Sequence, residues 1–455
     1  MSLRRIPGTD QSYHLISYDT HGDEVKDADG TIASDAAITA LTDTAADITD
    51  VFILSHGWQG DYDDAIRQYD KWVGAANPDA VGDGIRPFVI GVHWPSKAWS
   101  DRELESTPSG LLGDDPAPVA NGMPVAEAVD EYAAVLGDGA DVRAALTAVL
   151  QHAADTDPQE VIDKGDALPS EVVDAYRTLA AHVGAGGSDD SLLGSGWTAD
   201  DAFEAVKADR DGDDGLLGAG GFFRKLRDAV LIPLRQLAFW HGKNQAREFG
   251  ERGGAQLLRA MIAATSPAVR IHLMGHSFGT IVVSSAVRGP GDAPTAPPRP
   301  VTSLFLVQGA VSLWAFSEHV PDGVGGGRGY LADVLRHEFV SGTIVATTSK
   351  WDYAVGRFYP LAVGIAGQYL LGGDLPKYGG IGTFGVQGAG AVALPDLVPG
   401  SQSADIAFAP GTVYNIDASQ VISTLEGASG AHNDLAHPEL SWLGWRAALA
   451  GAAPR

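Results

Sequence analysis

A Gly-x-Ser-x-Gly segment, residues 275–279, lies between a short apolar run and a helix-like run. A sharp turn from strand to helix needs small residues at both flanks, because a Cβ at Gly275 or Gly279 would clash with neighbouring backbone. Such a turn leaves the hydroxyl of Ser277 exposed at its tip. The pattern alone is frequent by chance in a chain with 57 glycines, but the flanking runs make it specific. The sequence therefore predicts that Ser277 is a nucleophile.

A second chemical pattern lies upstream, where four apolar residues at 51–54 are followed closely by a His-Gly-Trp run. The pattern predicts a buried strand that ends in a tight turn. Together with the serine segment, it makes the chain resemble the α/β-hydrolase superfamily of serine hydrolases. The resemblance implies that His56 and Gly57 shape an oxyanion loop. It also implies that the backbone N–H groups of Trp58 and Phe278 bind the oxyanion. The alternative is that His56 and Gly57 form only a turn.

The same resemblance implies an acid that follows the serine in the sequence and precedes the histidine. Residues 343–348 are apolar and β-branched, which predicts a strand, and Asp352 follows that strand closely. Asp352 is therefore the predicted acid. Asp322 and Glu318 are rivals that follow the preceding strand at less regular distances. The alternative role of Asp352 is to cap a helix that begins at Tyr353.

The base is expected in a loop after the last strand, which the sequence places at 412–417. His432 and His437 both lie in that loop. His432 follows a small Gly-Ala pair that suits a loop reaching the active site, whereas His437 precedes a proline that starts the terminal helix. His432 is therefore the preferred base. His276 is too close to the serine in sequence to turn its ring onto it, and is predicted to support the elbow from behind.

Composition limits the classes of partner. The chain has 455 residues, a formal net charge of −27 and a pI near 4.6, so nucleic acid and anionic membrane surfaces would be repelled. It has no cysteine, which excludes disulfides, a thiol nucleophile and cysteine-based metal sites. No cofactor and no catalytic metal are predicted.

The termini and the apolar runs bear on location. The first ten residues contain two arginines but no apolar stretch behind them, so no signal peptide is predicted and a cytoplasmic location is expected. The nearest approach to a membrane span is 358–373, which is too short and contains a proline and several glycines. No integral membrane segment is predicted.

Strand-like and helix-like runs alternate outside the middle of the chain, which predicts an α/β fold with a mostly parallel sheet flanked by helices. The predicted strands are 13–18, 51–55, 87–94, 271–274, 301–307, 342–348 and 412–417. The predicted helices are 34–46, 62–76, 245–264, 280–287 and 438–450. This pattern and the strand-borne serine predict an α/β-hydrolase core formed by residues 1–96 and 241–455. Within the superfamily, Trp94-Pro95-Ser96 resembles a bacterial branch that carries this motif.

Residues 97–240 interrupt the alternation and predict a helical cap inserted into the core. Its predicted helices are 125–136, 141–153, 169–182 and 198–208. A disordered acidic insert is the alternative. The cap ends in an apolar stripe that could line an acyl pocket or simply dock the cap, and a proline at 233 is expected to bend it. The stripe consists of Phe223, Leu226, Val230, Leu234 and Leu237.

Two further segments have weaker patterns. The stretch 379–398 is rich in glycine and poor in charge, which favours a mobile loop at the pocket mouth or an oligomer contact. The cluster from Asp209 to Asp214 resembles the start of an EF-hand loop, but Asp214 stands where that loop needs glycine. A solvated acidic turn is the preferred interpretation, and a calcium site is the alternative.

The combined prediction is a serine hydrolase that cleaves carboxylic esters through an acyl-enzyme, with a small-molecule or lipid-like acyl ester as substrate. Thioesters and amides are alternative substrates for the same set of residues. A non-catalytic binding protein with this fold is the alternative of a different class. Cap and pocket, which determine specificity, carry no sequence pattern that names the substrate or the oligomeric state.

Overall fold

The computed structural model describes residues 3–27, 30–43, 48–58, 62–75, 85–96, 124–155, 168–183, 199, 227–291, 293–322, 326–358, 375, 379–400, 406–426 and 429–450. Within these ranges the chain forms one sheet of nine strands, in the spatial order β1-β2-β4-β3-β5-β6-β7-β9-β8. The strands are β1 Leu3–Arg5, β2 Ser12–Ser17, β3 Asp50–Ser55, β4 Pro87–His93, β5 Arg270–His276, β6 Val301–Val307, β7 Val340–Thr348, β8 Val392–Leu394 and β9 Val413–Asp417.

The sheet is parallel except at one edge. Only the pair β1 and β2 is antiparallel among the described strand pairs, and the other pairs run in the same direction. Helices flank the sheet, as parallel strands require when their connections cross over. The α/β class predicted from the sequence is therefore confirmed. Because the strands are parallel, the residues that follow β3, β5, β6, β7 and β9 all emerge where the strands end, which is called the carboxyl edge of the sheet below.

The described helices alternate with these strands or lie in the interrupted middle region. They are α1 Ala33–Asp43, α2 Tyr62–Ala75, α3 Val125–Leu136, α4 Ala140–Asp155, α5 Ser170–His182, α6 Arg227–Phe249, α7 Ala255–Ala264, α8 Gly279–Arg288, α9 Ile381–Phe384 and α10 Pro438–Ala450. A π-helical turn, Gly250–Gly254, joins α6 to α7.

Side chains that alternate along the central strands fill two cores, one on each face of the sheet. On β3, for example, Val51 and Ile53 belong to the core shared with α7 and α8, whereas Phe52 and Leu54 face α2 and α10. All six residues of β3 are buried, which is the pattern of a strand covered on both faces. The central strands therefore hold the carboxyl edge of the sheet rigidly.

The middle region contains helices where the structure describes it. Helix α4 packs on α3 and α5, all three pack on α6, and α6 packs on α8. The helix predicted at 245–264 is the continuation of a longer one, because α6 runs through Pro233 and across the predicted boundary between residues 240 and 241. Buried side chains at Leu234, Leu237 and Phe249 show that one face stays apolar past that boundary.

Other parts of the middle region lie outside the described residues. They include Phe223, Leu226, the cluster Asp209–Asp214 and most of the helix predicted at 198–208. The side chain of Val230 is not described either.

The glycine-rich stretch 379–398 differs from its prediction as a mobile loop. It contains the helical turn α9 and the strand β8, which pairs with β9. Gly382 of α9 donates its N–H to the Gly309 carbonyl and accepts a hydrogen bond at its own carbonyl from Ser349. The glycines that suggested a loop have no side chains, and this lets α9 approach the backbone that follows β6 and β7.

Within the part of the chain that the structure describes, no helix has both the length and the apolarity needed to cross a membrane.

Candidate active site

Ser277 occupies a strained turn between β5 and α8. Its φ is +54°, and Gln308 is the only other non-glycine residue with positive φ in the described ranges. A non-glycine residue in this region costs on the order of 1–3 kcal/mol and persists only where its surroundings hold it. The Ser277 carbonyl accepts hydrogen bonds from the Thr280 hydroxyl at 2.6 Å and from the Ala310 N–H at 3.2 Å, and its own N–H donates to Val307 at 3.2 Å. The turn is thus fixed from both sides.

The glycines on either side of the turn are there because backbone passes close to them. A Cβ at Gly275 would lie 2.3 Å from the Gly279 carbonyl oxygen, and one at Gly279 would lie 2.3 Å from the Ser55 carbonyl oxygen. Both distances are far inside van der Waals contact. A sharp turn is present where the spacing of these residues predicts one, and a Cβ fits at neither glycine.

Asp352 and His432 form a buried pair. The Nδ1–H of His432 donates to both carboxylate oxygens of Asp352, at 3.0 Å and 2.9 Å. The carboxylate also accepts a hydrogen bond from the Gln308 amide at 2.9 Å and from the Val355 N–H at 3.0 Å. Asp352 is 1% exposed. Because Nδ1 carries the proton, the Nε2 lone pair of His432 is free to accept another.

Close backbone contacts between the segment after β7 and the histidine loop bring the two residues together. Asp352 follows β7, and it bridges to Gly430, whose φ is +64°. A Cβ at Gly430 would lie 2.2 Å from the Trp351 carbonyl oxygen, so only glycine fits there. The next residue, Ala431, donates its N–H to that same carbonyl at 2.8 Å. The small Gly-Ala pair noted in the sequence is what lets His432 reach the acid.

His276 links the histidine loop to the serine turn. Its Nε2–H donates to the His432 carbonyl at 3.0 Å, and the two rings lie 4.8 Å apart. Burial, with a smaller contribution from the charge of His432, lowers the pKa of His276 well below its ordinary value, so the ring is neutral. Its Nδ1 is buried without a partner. The ring of His276 therefore points to the histidine loop, and its role in supporting the elbow stays a prediction.

No hydrogen bond joins Ser277 to His432, and among the described residues they are linked through His276, which precedes the serine and contacts the histidine. Among the described residues, neither the Ser277 hydroxyl nor Nε2 of His432 has a hydrogen-bond partner. Both residues are 7% exposed. In enzymes that use a serine with a histidine, the hydrogen bond between the two is often long without substrate and shortens when substrate binds.

The His-Gly turn lies directly against Ser277. A Cβ at Gly57 would lie 2.9 Å from the Ser277 Cβ. The Trp94 N–H donates to Nε2 of His56 at 3.3 Å, so Nδ1 carries the ring proton and donates to the Gly57 carbonyl at 2.7 Å. The carbonyl and N–H of a trans peptide point in opposite directions. His56 therefore holds the Trp58 N–H pointing away from its own ring.

Two backbone N–H groups at this edge are unpaired. No described residue accepts a hydrogen bond from the N–H of Trp58 or of Phe278. Phe278 immediately precedes α8, where N–H groups lack helical acceptors and can bind an anion. These are the two donors that the resemblance implies.

The rival residues have other partners. His437 binds Asp434 at 2.8 Å, and Glu318 forms an ion pair with Arg328 at 2.7 Å. Asp352 also caps the turn that follows it, through the Val355 N–H, so the capping alternative and the pairing with His432 coexist.

Gln308 and Tyr69 were missed by sequence reasoning. The Tyr69 hydroxyl accepts from the His56 N–H at 2.8 Å and donates to the Val92 carbonyl at 2.6 Å, so it supports the His-Gly turn from below. Gln308 could have been found, because it is the first residue after the apolar run of β6. Tyr69 offered no signal, since it is one of several aromatic residues on α2.

Over the described ranges, no three His, Asp or Glu side chains converge in a way that could hold a metal ion. No protein-family model matches the chain, no curated protein matches it, and no solved structure matches it.

Proposed function

We propose that this chain is a serine hydrolase of the α/β-hydrolase type that cleaves carboxylic esters through an acyl-enzyme. The observation that carries the proposal is the buried pair of Asp352 and His432, which is anchored through His276 beside the strained Ser277. A buried acid that fixes one histidine tautomer, next to a serine held at the end of a strand, is the arrangement that makes a serine hydroxyl nucleophilic. In this proposal the helices of residues 97–240 form a cap.

The reaction follows from these positions. Ser277 Oγ attacks the ester carbonyl carbon while its proton passes to Nε2 of His432. The carbonyl oxygen becomes an oxyanion and accepts hydrogen bonds from the N–H groups of Trp58 and Phe278. When the tetrahedral intermediate collapses, the C–O bond to the alcohol breaks and the leaving oxygen takes the proton from His432. Water, deprotonated by the same histidine, then releases the acid and restores Ser277.

Asp352 stays ionised throughout and stabilises the imidazolium that forms on His432. Its two oxygens accept hydrogen bonds from three donors, the Nδ1–H of His432, the Gln308 amide and the Val355 N–H, which hold the carboxylate in place. Esters are proposed over amides because an alcohol leaves more readily than an amine. Thioesters would follow the same steps. The substrate class proposed is a small-molecule or lipid-like acyl ester, since the net charge of −27 disfavours polyanions.

A fluorophosphonate probe with a short-chain ester assay tests the proposal. Wild-type protein should be labelled and should hydrolyse the ester, and Ser277→Ala should lose labelling and at least about 10⁴-fold in kcat. Ser284→Ala is the matched control, because Ser284 is a buried serine of α8 whose hydroxyl has no partner among the described residues. It should behave as wild type. Equal labelling of the Ser277→Ala protein would refute the proposal, and a wild type without labelling or hydrolysis would point to a binding protein.

A further inference from the structure

Three aromatic rings from distant parts of the sequence meet beside the N–H groups of Trp58 and Phe278, which have no acceptor among the described residues. Trp58 belongs to the His-Gly turn, Phe278 to the serine elbow and Phe239 to α6. The ring centroids of Trp58 and Phe278 are 5.3 Å apart, and Phe239 lies 5.7 Å from the first and 5.0 Å from the second. Each pair is at a distance typical of favourable aromatic contact. Phe239 and Phe278 are 3% and 1% exposed.

A second contact from the same helix face fixes the indole of Trp58. Gly242 lies three residues after Phe239 and therefore on the same side of α6. A Cβ at Gly242 would lie 2.4 Å from the Trp58 Nε1 and 2.8 Å from its Cε2. The indole thus lies against bare helix backbone at a place where any side chain would displace it.

We propose that α6 positions the oxyanion hole, with Phe239 and Gly242 as the positioning residues. The inference rests on the proposed function, because it assigns a role to a helix next to the proposed donors. Both donor N–H groups belong to residues whose side chains contact Phe239, so the helix face sets the separation of the two donors. A donor displaced by about 1 Å costs on the order of 10²-fold in rate.

The acid and histidine have supports of their own. Asp352 is held by Gln308 and Val355, and His432 by Asp352 and His276, none of which belongs to α6. A change in α6 should therefore weaken stabilisation of the oxyanion without changing how the serine is activated. This difference separates a positioning role from a merely structural one.

Four substitutions test the inference. Gly242→Ala would push the indole out of place, and Phe239→Leu would remove the ring that both donor residues contact. Gly74→Ala is the matched control for the first, because Gly74 is in helix α2 and, among the described residues, its Cβ would meet only the Ile6 side chain, at 3.6 Å. Phe339→Leu is the matched control for the second, because Phe339 is 2% exposed and lies just before β7, at the opposite edge of the sheet.

Two readouts apply to all variants: steady-state hydrolysis of a short ester, and the inhibition constant of a trifluoromethyl ketone, which binds serine as a tetrahedral oxyanion. Gly242→Ala should lower kcat by about 30- to 100-fold with KM within about twofold of wild type, and should weaken ketone binding in proportion. Phe239→Leu should do so by roughly tenfold. The pH at which kcat/KM is half-maximal should not move, because the Asp352–His432 pair is untouched.

The outcomes separate the two proposals. If wild-type protein hydrolyses esters but Gly242→Ala and Phe239→Leu match their controls in kcat and ketone affinity, α6 does not position the oxyanion hole and the proposed function stands. A higher KM with an unchanged kcat would also overturn the inference, since it would place α6 in substrate binding. A wild type that neither labels with fluorophosphonate nor hydrolyses esters would overturn both.

Discussion

At the scale of single residues, the carboxylate of Asp352 serves three neighbours at once. It orients the ring of His432, accepts the Gln308 amide after β6 and caps the turn that begins at Ala354 through the Val355 N–H. The side chain is buried, so each of these hydrogen bonds replaces one to water. An amide of the same shape has only one oxygen, so it keeps as a donor either the Gln308 amide or the Val355 N–H, and it presents an N–H in place of the other oxygen.

Asp352→Asn tests this reasoning. An asparagine amide can present an N–H to His432, which then must carry its proton on Nε2, the nitrogen that should accept the serine proton. We expect kcat for ester hydrolysis to fall by about 10³- to 10⁴-fold, with a circular dichroism spectrum like that of wild type.

Asp333→Asn is the control. Asp333 is buried and binds Arg328 and Arg336, near the start of β7 and away from the serine. It should lose stability without a comparable loss of kcat. If both variants retained wild-type kcat, Asp352 would not be the catalytic acid.

At the scale of secondary-structure elements, the His432 loop is held beside β7 by a single glycine conformation. Gly430 has a φ of +64°, and a Cβ at this position would clash with the Trp351 carbonyl oxygen. Gly430→Ala has two costs, about 1–2 kcal/mol for the left-handed conformation and a further clash that moves the loop. We expect a lower free energy of unfolding and a kcat reduced by roughly 10- to 100-fold, because His432 moves with the loop.

Gly411→Ala separates the two costs. Gly411 has a φ of +70°, but no described residue lies within 4 Å of a Cβ built there. Urea unfolding of Gly411→Ala should show a conformational cost similar to that of Gly430→Ala. Its kcat for ester hydrolysis should be that of wild type. Equal kcat in the two alanine variants would show that the loop does not set the position of the histidine.

The elements themselves were largely predictable from the sequence, and their meeting points were not. Apolar runs such as that of β3 and the strand-turn-helix around Ser277 carry local patterns, so their type and place follow from periodicity. The contact of Phe239 with Trp58 and Phe278 joins residues far apart in sequence and leaves no local trace. The stretch 379–398 was misjudged because glycine content indicates conformational freedom but also close backbone approach, and here α9 uses the second.

At the scale of the whole molecule, the sheet is braced at the edge opposite the site. Asp50, at the start of β3, accepts two hydrogen bonds from Arg270 at 2.6 Å and 2.7 Å and one from His272 at 2.9 Å. His272 in turn accepts from the Ser303 hydroxyl at 2.8 Å. The network therefore joins the amino ends of β3, β5 and β6. The strained turn at the other end of β5 needs such a rigid frame, because strain persists only where the surroundings fix it.

This network should make the fold sensitive to acid in two steps. Burial, which outweighs the hydrogen bond that His272 donates to Asp50, lowers the pKa of His272. The unfolded chain therefore takes up a proton first, and stability falls as the pH drops below about 6.5. For Asp50, burial alone would raise the pKa, but hydrogen bonds from His272 and Arg270 outweigh it and bring it to about 2. That contribution is present above about pH 4 and is lost between pH 4 and 2.

Asp50→Asn should therefore lower the free energy of unfolding by about 2–4 kcal/mol at pH 7, and the difference from wild type should shrink as the pH falls from 4 to 2. Urea unfolding at pH 7, 5, 4 and 3 measures this difference. Asp130→Asn is the control, since Asp130 pairs with Arg143 at 2.6 Å on an exposed surface and such pairs contribute less than about 1 kcal/mol. It should follow the wild-type curve at every pH. A constant difference between Asp50→Asn and wild type across this range would mean that the carboxylate charge does not hold the strand ends together.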